Sequence, residues 1–182
     1  MKEAQTAGSS QLPTLYLDVD GVLNAFDFDA RLATFNDFEE QEVTVDSGSG
    51  FRMTFDVRLS RNMGDRVAAL SAEIVWATTW EHHADVVVAP LCGIPRGLRF
   101  LARPTSTTHA DGAWKFDEVR LAVVEKMQPF VWIDDDIDSF RHGSESARQW
   151  AESLPILNLL IAPDPRTGLT HGDLEAIEEF LC

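Results

Sequence analysis

Cysteine is scarce in this chain, which carries only Cys92 and Cys182 among its 182 residues. Because the two cysteines are far apart and lack a paired spacing, they do not indicate a disulfide framework or a zinc site. Free thiols are typical of proteins in a reducing compartment, so the expected location is cytoplasmic.

A long hydrophobic run is also missing, since no apolar stretch approaches the roughly 20 residues that a membrane-spanning helix needs. The first 13 residues, MKEAQTAGSSQLP, are polar and lack the apolar core of a signal peptide. Residues 1–13 are therefore expected to form a disordered tail. The sequence predicts no contact with a membrane.

Basic residues are few, with 15 Lys and Arg against 30 Asp and Glu and a formal net charge of −15. This balance argues against an extended basic surface that binds nucleic acid, although it does not exclude a local basic pocket. Hydrophobic residues make up 45% and charged residues 25%, which is typical of a globular protein and not of a disordered one. The length fits one domain, which we assign to residues 14–182.

Short apolar runs recur along the chain, with helical patterns between them. Alternation of this kind predicts an α/β fold with a doubly wound, mostly parallel sheet, in which ligands bind at the carboxyl ends of the strands. The five predicted strands lie within residues 14–18, 73–79, 97–102, 129–135 and 154–163.

Five segments carry helical patterns, and two of them have recognisable start signals. Ser60 is the expected N-cap of the first helix, and Thr170 with Asp173 forms a capping-box variant at the last one. In the third helix an apolar stripe runs from Val119 to Met127. The predicted helices are residues 60–70, 80–91, 113–127, 143–154 and 171–181.

One segment, residues 39–59, breaks the alternation and predicts a β-hairpin. Val43 and Val45 alternate with polar residues, and so do the apolar residues from Phe51 to Val57. The intervening SGSG is a turn sequence. We expect this hairpin to form a small flap inserted into the α/β domain.

Carboxylate, hydroxyl and ammonium side chains gather where the predicted strands and the long helix have their ends. In a parallel sheet the strand tips share one edge, so these side chains are expected in one crevice. They are Asp18 and Asp20 after the first strand, Thr78 and Thr79 after the second, Lys115 at the start of the long helix, and Asp134, Asp135, Asp136 and Asp138 after the fourth strand.

Clustered carboxylates repel one another unless a cation lies among them. Oxygen ligands without a nearby His or Cys indicate a hard ion, and Mg²⁺ fits best because it commonly takes a substrate phosphate as a further ligand. A metal, a carboxylate, a hydroxyl donor and a lysine together are suited to phosphoryl transfer.

Four motifs of the chain resemble, in order, those of the haloacid dehalogenase (HAD) superfamily. They are Asp18-Val19-Asp20-Gly21, Thr78 at the end of EIVWAT, Lys115, and Asp134-Asp135. The resemblance covers roughly residues 14–162 and implies a Rossmann-like core. The patterns VWATTWEHHAD and WIDDD are also similar to the HAD domains that accompany RNA-repair enzymes.

The resemblance implies a catalytic role for each matching residue. Asp18 would be the nucleophile that forms an aspartyl-phosphate, and Asp20 would be the general acid and later the general base. Thr78 would bind the phosphoryl group, with Thr79 as the alternative. Lys115 would hold the charges of the nucleophile and the phosphate together.

The resemblance also implies the ligands of Mg²⁺. They would be the Asp18 side chain, the backbone carbonyl of Asp20 and the side chain of Asp135, with Asp134 and Asp138 as alternatives or supporting residues. An acid two residues after the nucleophile is the pattern of phosphatases and phosphomutases in this superfamily. The expected activity is therefore that of a Mg²⁺-dependent phosphomonoester hydrolase.

The insertions that form caps in this superfamily are small here, because residues 39–59 are the main insertion before Thr78 and little more than one helix separates Lys115 from Asp134. The resemblance therefore implies an open site. Such a site suits a large phosphorylated substrate, such as a nucleic-acid end or a protein, or a homo-oligomer in which a partner subunit closes it. A small metabolite remains an alternative substrate.

Tryptophans adjoin two of the motifs. Trp80 and Trp114 are candidate substrate-binding residues that could rim the pocket and stack on a base. Packing of a helix on the sheet is the more common role of such residues. Trp76 and Trp132 lie inside predicted strands and are expected in the core.

Other functions stay open alongside a general phosphatase. One is a HAD-like binding or regulatory domain with little catalysis, and another is a polynucleotide-end phosphatase of nucleic-acid repair. A signalling receiver module also combines clustered acids, a Thr and a Lys, but its lysine follows the last strand whereas Lys115 precedes the strand that ends at Asp134.

Overall fold

The computed structural model describes residues 11–26, 35, 37–46, 50, 52–105 and 113–182. The predictions for residues 1–10 and for most of the SGSG turn lie outside these ranges. The strands are β1 (Thr14–Leu17), β2 (Phe38–Asp46), β3 (Arg52–Ser60), β4 (Glu73–Trp76), β5 (Arg99–Phe100), β6 (Phe130–Ile133), β7 (Arg141–His142), β8 (Glu145–Ser146) and β9 (Asn158–Ile161). The helices are α1 (Arg61–Ala68), α2 (Ala89–Cys92), α3 (Trp114–Lys126), α4 (Ala147–Ser153) and α5 (His171–Leu181), and a π-helical segment (Ala84–Val88) leads into α2.

Five strands form an all-parallel sheet in the order β5-β4-β1-β6-β9, which confirms the predicted α/β, doubly wound fold. The central strand is β1, where Leu17 pairs with Trp76 of β4 on one side and with Ile133 of β6 on the other. The chain first moves outward from β1 to β4 and β5, and then crosses to the opposite side of β1. This reversal creates a crevice at the carboxyl end of β1.

The two faces of the sheet are buried under different helices, which explains why β1 and β6 at its centre are buried along their whole length. On β1, Leu15 and Leu17 belong to one hydrophobic cluster and Tyr16 to the other. The first cluster takes in residues of α1, α2, α5 and the hairpin, and the second takes in residues of α3 and α4. Trp76 and Trp132 are fully buried on opposite faces, as predicted.

The predicted hairpin is present, because β2 and β3 pair antiparallel from Phe38–Ser60 to Asp46–Arg52. Its base is anchored in the core through Val57 and Leu59, which are almost completely buried. The hairpin is inserted between β1 and α1, so it stands beside the carboxyl end of the central strand.

Both predicted helix starts are confirmed by hydrogen bonds. The Ser60 hydroxyl accepts the N–H of Met63 at 3.1 Å at the start of α1. At α5 the Thr170 hydroxyl accepts the N–H of Asp173 at 3.2 Å, and the Asp173 carboxylate accepts the N–H of Thr170 at 2.8 Å. These bonds satisfy backbone donors that the first turn of a helix leaves without intrahelical partners.

Two helical predictions extended too far. The fourth helix begins after Ser146 and not at residue 143, because β7 and β8 form a short hairpin around Gly143, whose φ is +60°. Met127 does not continue the buried stripe of the third helix. It is the left-handed C-cap of α3, with φ of +47°, and its side chain is 48% exposed.

The described helices are short. The longest, α3, has 13 residues and is about 20 Å long at 1.5 Å per residue. Across the described ranges, no helix combines the length and the apolar character needed to cross a membrane. The assignment of residues 14–182 to one domain stays a prediction.

Candidate active site

Successive strands are added first on one side of β1 and then on the other, and this change of side brings polar residues from neighbouring strand ends together. The N–H of Asp18 donates to the carbonyl of Ile133 at 3.0 Å, and the N–H of Ala77 donates to the carbonyl of Leu17 at 2.8 Å. Asp18 thus lies level with Asp134 on one side and with the start of the loop after β4 on the other. The predicted crevice is formed by these strand ends.

Lys115 reaches the crevice from the first turn of α3 and lies between two carboxylates. Its Nζ is 2.5 Å from Oδ2 of Asp18 and 2.7 Å from Oδ2 of Asp134, and all three side chains are almost completely buried. Nζ also lies 5.5 Å from the centre of the Phe140 ring. Because the helix dipole disfavours a cation in a first turn, the two carboxylates are what stabilise this position.

The buried charges shift each other's pKa values. Burial raises the pKa of Asp18 above its usual value, although the adjacent Lys115 ammonium opposes this effect. Burial and then the Asp18 charge raise the pKa of Asp134 well above its usual value. Burial acts to lower the pKa of Lys115, but the charges of both carboxylates outweigh it and raise this pKa. The crevice therefore favours an additional positive charge.

Asp135 completes a group of three carboxylates. Asp18, Asp134 and Asp135 can each offer an oxygen within 4.8 Å of the others. Burial and the nearby Asp18 charge raise the pKa of Asp135 to about 6. A Cβ on Gly21 would approach Cγ of Asp135 to 2.4 Å, and Gly21 also has φ of +70°. The motif glycine is therefore required both by the turn after Asp20 and by the close approach to Asp135.

Asp20 is held by two N–H donors at the edge of the crevice. Nε1–H of Trp80 donates to its Oδ2 at 2.9 Å, and Nδ2–H of Asn24 donates to its Oδ1 at 2.8 Å. Oδ1 of Asn24 in turn accepts the N–H of Arg58 in β3 at 2.8 Å. The hairpin is thus connected through Asn24 to the carboxylate predicted to move protons.

Thr78 and Thr79 have different surroundings. Thr78 is fully buried, its side chain acts to lower the pKa of Asp18, and its Oγ1 accepts the N–H of Trp80 at 3.3 Å. Thr79 is half-buried and lines a neighbouring cavity. The geometry therefore favours Thr78 beside the predicted nucleophile and Thr79 beside the remainder of a substrate.

A cavity of about 710 Å³ opens between the hairpin and the loop after β4. Asp20, Thr79 and Trp80 line it, together with Met53 and Phe55 of β3. The rings of Phe55 and Trp80 face each other with centroids 5.2 Å apart. The volume is typical of a site for a small organic ligand or for part of a larger one.

Two predicted candidates lie away from this site. Trp114 does not line the cavity, because its side chain is buried in the hydrophobic cluster under α3 and α4. Of the two roles considered for Trp114, its position agrees with packing of a helix on the sheet. Asp138 is exposed and pairs with Arg148 at 2.5 Å, outside the carboxylate group.

Sequence reasoning missed Asn24 and the position of Phe55. Asn24 could have been noticed as a polar side chain in the otherwise apolar VLNAF that follows the first motif. The sequence predicts Phe55 only as part of a hairpin. Its ring contact with Trp80 depends on where the hairpin lies relative to the loop after β4, which local patterns do not show.

The residues of the crevice fit a hard cation such as Mg²⁺. The donors are all oxygens, which Mg²⁺ prefers over nitrogen and sulfur. Oδ2 of Asp134 is buried and, despite its proximity to Lys115, receives no hydrogen bond of good geometry. Gly21 lets the loop after β1 approach Asp135, which places a backbone turn next to the carboxylates.

Comparison with known proteins agrees with this geometry. A family model described as "HAD domain in Swiss Army Knife RNA repair proteins" matches residues 14–174. The match confirms both the HAD resemblance and its RNA-repair type. No curated protein and no solved structure matches the chain.

Proposed function

Because the chain belongs to the family of HAD domains in Swiss Army Knife RNA repair proteins, we propose that it hydrolyses a phosphomonoester at a nucleic-acid end with the help of Mg²⁺. Family membership favours a phosphatase or an RNA-repair-related activity. The observation that carries the proposal is the buried Lys115 between Asp18 and Asp134, with Asp135 beside them. This arrangement supplies a nucleophile whose charge is partly offset, so an anionic phosphate can approach it.

In the proposed reaction an oxygen of Asp18 attacks phosphorus, and the bond from phosphorus to the leaving oxygen breaks. Asp20 in its protonated form gives its proton to that leaving oxygen. As a carboxylate, Asp20 then takes a proton from a water molecule that attacks the aspartyl-phosphate. Inorganic phosphate departs, and Asp18 returns to its carboxylate form.

Neighbouring side chains assist these steps without changing covalently. Lys115 lies against Asp18 and would offset negative charge on this carboxylate and on the phosphoryl oxygens, and the Thr78 hydroxyl would donate a hydrogen bond to one of those oxygens. Trp80 and Asn24 fix the direction of both Asp20 oxygens.

Mg²⁺ would be held by the carboxylates of Asp18 and Asp135 and by the backbone carbonyl of Asp20. Asp134 would support the site through its ion pair with Lys115. When bound, the ion supplies positive charge that stabilises the negative charge building up during phosphoryl transfer.

The proposal is tested by measuring the release of inorganic phosphate from a panel of substrates, with and without Mg²⁺. The panel holds 3′- and 5′-phosphorylated oligonucleotides, mononucleotides, sugar phosphates and phosphopeptides. We expect Mg²⁺-dependent release that is fastest from the phosphorylated oligonucleotides and is lost in Asp18→Asn. Turnover by Asp18→Asn at the wild-type rate would contradict the role of Asp18.

Asp138→Asn is the matched control, because it makes the same change at an exposed acid of the loop after β6 that lies outside the carboxylate group. It should keep its turnover. Thermal unfolding adds a readout that does not depend on activity, since a ligand that binds only the folded state raises the melting temperature. Mg²⁺ should raise it in the wild type and in Asp138→Asn, and much less in Asp135→Asn. No rise in any protein would favour a binding domain with little catalysis.

A further inference from the structure

The cavity beside Asp20 lies where the leaving group of the proposed reaction would be, since Asp20 is the proton donor to that group. We infer that this cavity binds the nucleoside that carries the reacting phosphate, with its base against Phe55 and Trp80. The inference rests on the proposed function and specifies which part of the substrate the site recognises.

Apolar side chains of the hairpin form one wall of the cavity, and within the described part of the chain this wall is partly exposed to solvent. Met53 and Phe55 are 48% and 38% exposed, although Val45 and Val43, their cross-strand partners on the same face, are buried. Large apolar side chains exposed in a concave site are typical of ligand-binding surfaces. Flat heterocyclic bases stack well on aromatic rings such as that of Phe55.

Trp80 contacts both this apolar wall and Asp20, the proposed proton donor. Its indole N–H donates to Asp20 at 2.9 Å, while its ring faces Phe55 with the planes inclined by 53°. The aromatic wall therefore begins one side chain away from the proton donor. A group that fills the cavity must be covalently close to the leaving oxygen, as a base is when a single sugar separates the two.

The charges around the cavity favour a neutral occupant. Along its described lining, carboxylates outnumber guanidinium groups by five to two, and Glu81 and Arg103 pair with each other at 3.7 Å. A second phosphate inside the cavity would be repelled by this excess of negative charge, so the next phosphodiester of an oligonucleotide would lie outside it. A base carries no net charge, and its edges present both hydrogen-bond donors and acceptors.

A phosphotyrosine ring is another neutral aromatic group that could follow a phosphate. Its ring is bonded directly to the leaving oxygen, and one ring would fill little of a cavity of about 710 Å³. A nucleoside has a sugar followed by a base and occupies more of the same space. The dimensions therefore favour the nucleoside.

Tryptophan fluorescence tests binding in the absence of catalysis. Trp80 is half-buried at the cavity, whereas the other four tryptophans, Trp76, Trp114, Trp132 and Trp150, are buried. Adenosine and uridine, which carry no phosphate, are titrated into the wild-type protein and into Trp80→Phe. We expect saturable quenching in the wild type that is absent in Trp80→Phe. A wild-type signal unaffected by both nucleosides would overturn the inference.

Kinetics on matched oligonucleotides test recognition of the base. Two phosphorylated oligonucleotides are compared, one with a base on its terminal sugar and one with an abasic terminal sugar. Phe55→Ala and Phe55→Leu should both lower the ratio of kcat/KM, base-bearing over abasic, by about tenfold, because neither residue offers an aromatic ring. Leu121→Ala, an exposed apolar residue on α3 outside the cavity lining, should leave this ratio unchanged.

The outcomes separate this inference from the proposed function. Equal kcat/KM values for the two oligonucleotides in the wild type, or a preference for phosphotyrosine peptides, would overturn the nucleoside site while leaving a phosphatase. Quenching by nucleosides without phosphate release from any substrate would support the nucleoside site and refute the phosphatase.

Discussion

At the scale of single residues, Lys115 determines whether the crevice is stable. It lies within 2.7 Å of two buried carboxylate oxygens, one on Asp18 and one on Asp134. Removing one member of a buried ionic group is far more costly than removing an exposed one, because the remaining charges are left without compensation. The residue that would assist catalysis therefore also stabilises the folded state.

Lys115→Met keeps most of the side-chain volume and removes the charge. It should abolish turnover and lower the free energy of unfolding by about 3–5 kcal/mol, as measured by denaturant titration. Adding Asp134→Asn should restore part of this stability without restoring activity. Strictly additive effects of the two substitutions would show that the residues are not coupled.

Asn24 is the residue whose effect on catalysis is least evident from the sequence. Asn24→Ala removes a donor to Asp20 and leaves the N–H of Arg58 without that acceptor. We expect kcat to fall on the order of tenfold with a smaller change in KM, because a proton donor that loses its orientation acts less often in the right geometry. Steady-state kinetics on one phosphorylated oligonucleotide measure both. A change confined to KM would place Asn24 in substrate binding instead.

At the scale of secondary-structure elements, α5 shows a contribution to stability that is separate from the site. Thr170 and Asp173 satisfy backbone N–H groups reciprocally, and the helix covers one face of the sheet through Leu174 and Ile177. A helix start of this kind contributes to folding without contacting the crevice.

Thr170→Ala should lower the free energy of unfolding by about 1 kcal/mol, since the N-cap acceptor is lost. For a protein of this size, the melting temperature should fall by about 2–4 °C. Calorimetry measures the shift, and kcat should stay at the wild-type value. Ser71→Ala removes a hydroxyl from an exposed loop residue and should change neither quantity. An equal loss of stability in both variants would rule out capping as the cause.

Elements with strong local patterns were predictable from the sequence, and most of their tertiary contacts were not. The apolar runs gave β1, β4 and β6, and the start signals gave α1 and α5, because periodicity and capping depend on neighbouring residues. Local reasoning failed at Met127, where the backbone turns left-handed, and it could not decide between the pocket rim and the core for Trp114, which is buried in the core although it adjoins Lys115. The group of Asp18, Asp134 and Asp135 followed from strand order, which a parallel sheet constrains strongly.

At the scale of the whole molecule, the formal net charge of −15 constrains how a nucleic-acid end would be bound. Proteins that hold a nucleic-acid backbone with many basic residues lose affinity steeply as salt displaces these contacts. An acidic protein gains no such attraction, and its overall field opposes an approaching polyanion. Recognition would depend on the crevice and the cavity next to it.

Added salt should therefore lower KM for a phosphorylated oligonucleotide slightly, since it screens repulsion between like charges. Between 50 and 200 mM KCl at fixed Mg²⁺, we expect a change below about threefold, against the roughly 10³-fold or greater loss of affinity for proteins with many phosphate contacts. Steady-state kinetics across this salt range test the prediction. A KM that rises a hundredfold would reveal an extensive basic contact surface.

The central position of β1 also has a consequence for synthesis of the chain. Its neighbour β4 leaves the ribosome early, whereas β6 begins only at Phe130, so one edge of β1 stays open in the nascent protein. Open strand edges promote pairing with other chains. Asp134 directly follows β6, so it is synthesised equally late. A stalled or truncated product that ends before β6 would lack both the carboxylate group and the strand that covers the second edge of β1. Completing β6 thus covers the second edge of β1 and assembles the carboxylate group in the same step, while the outer edge of β6 stays open until β9 is made.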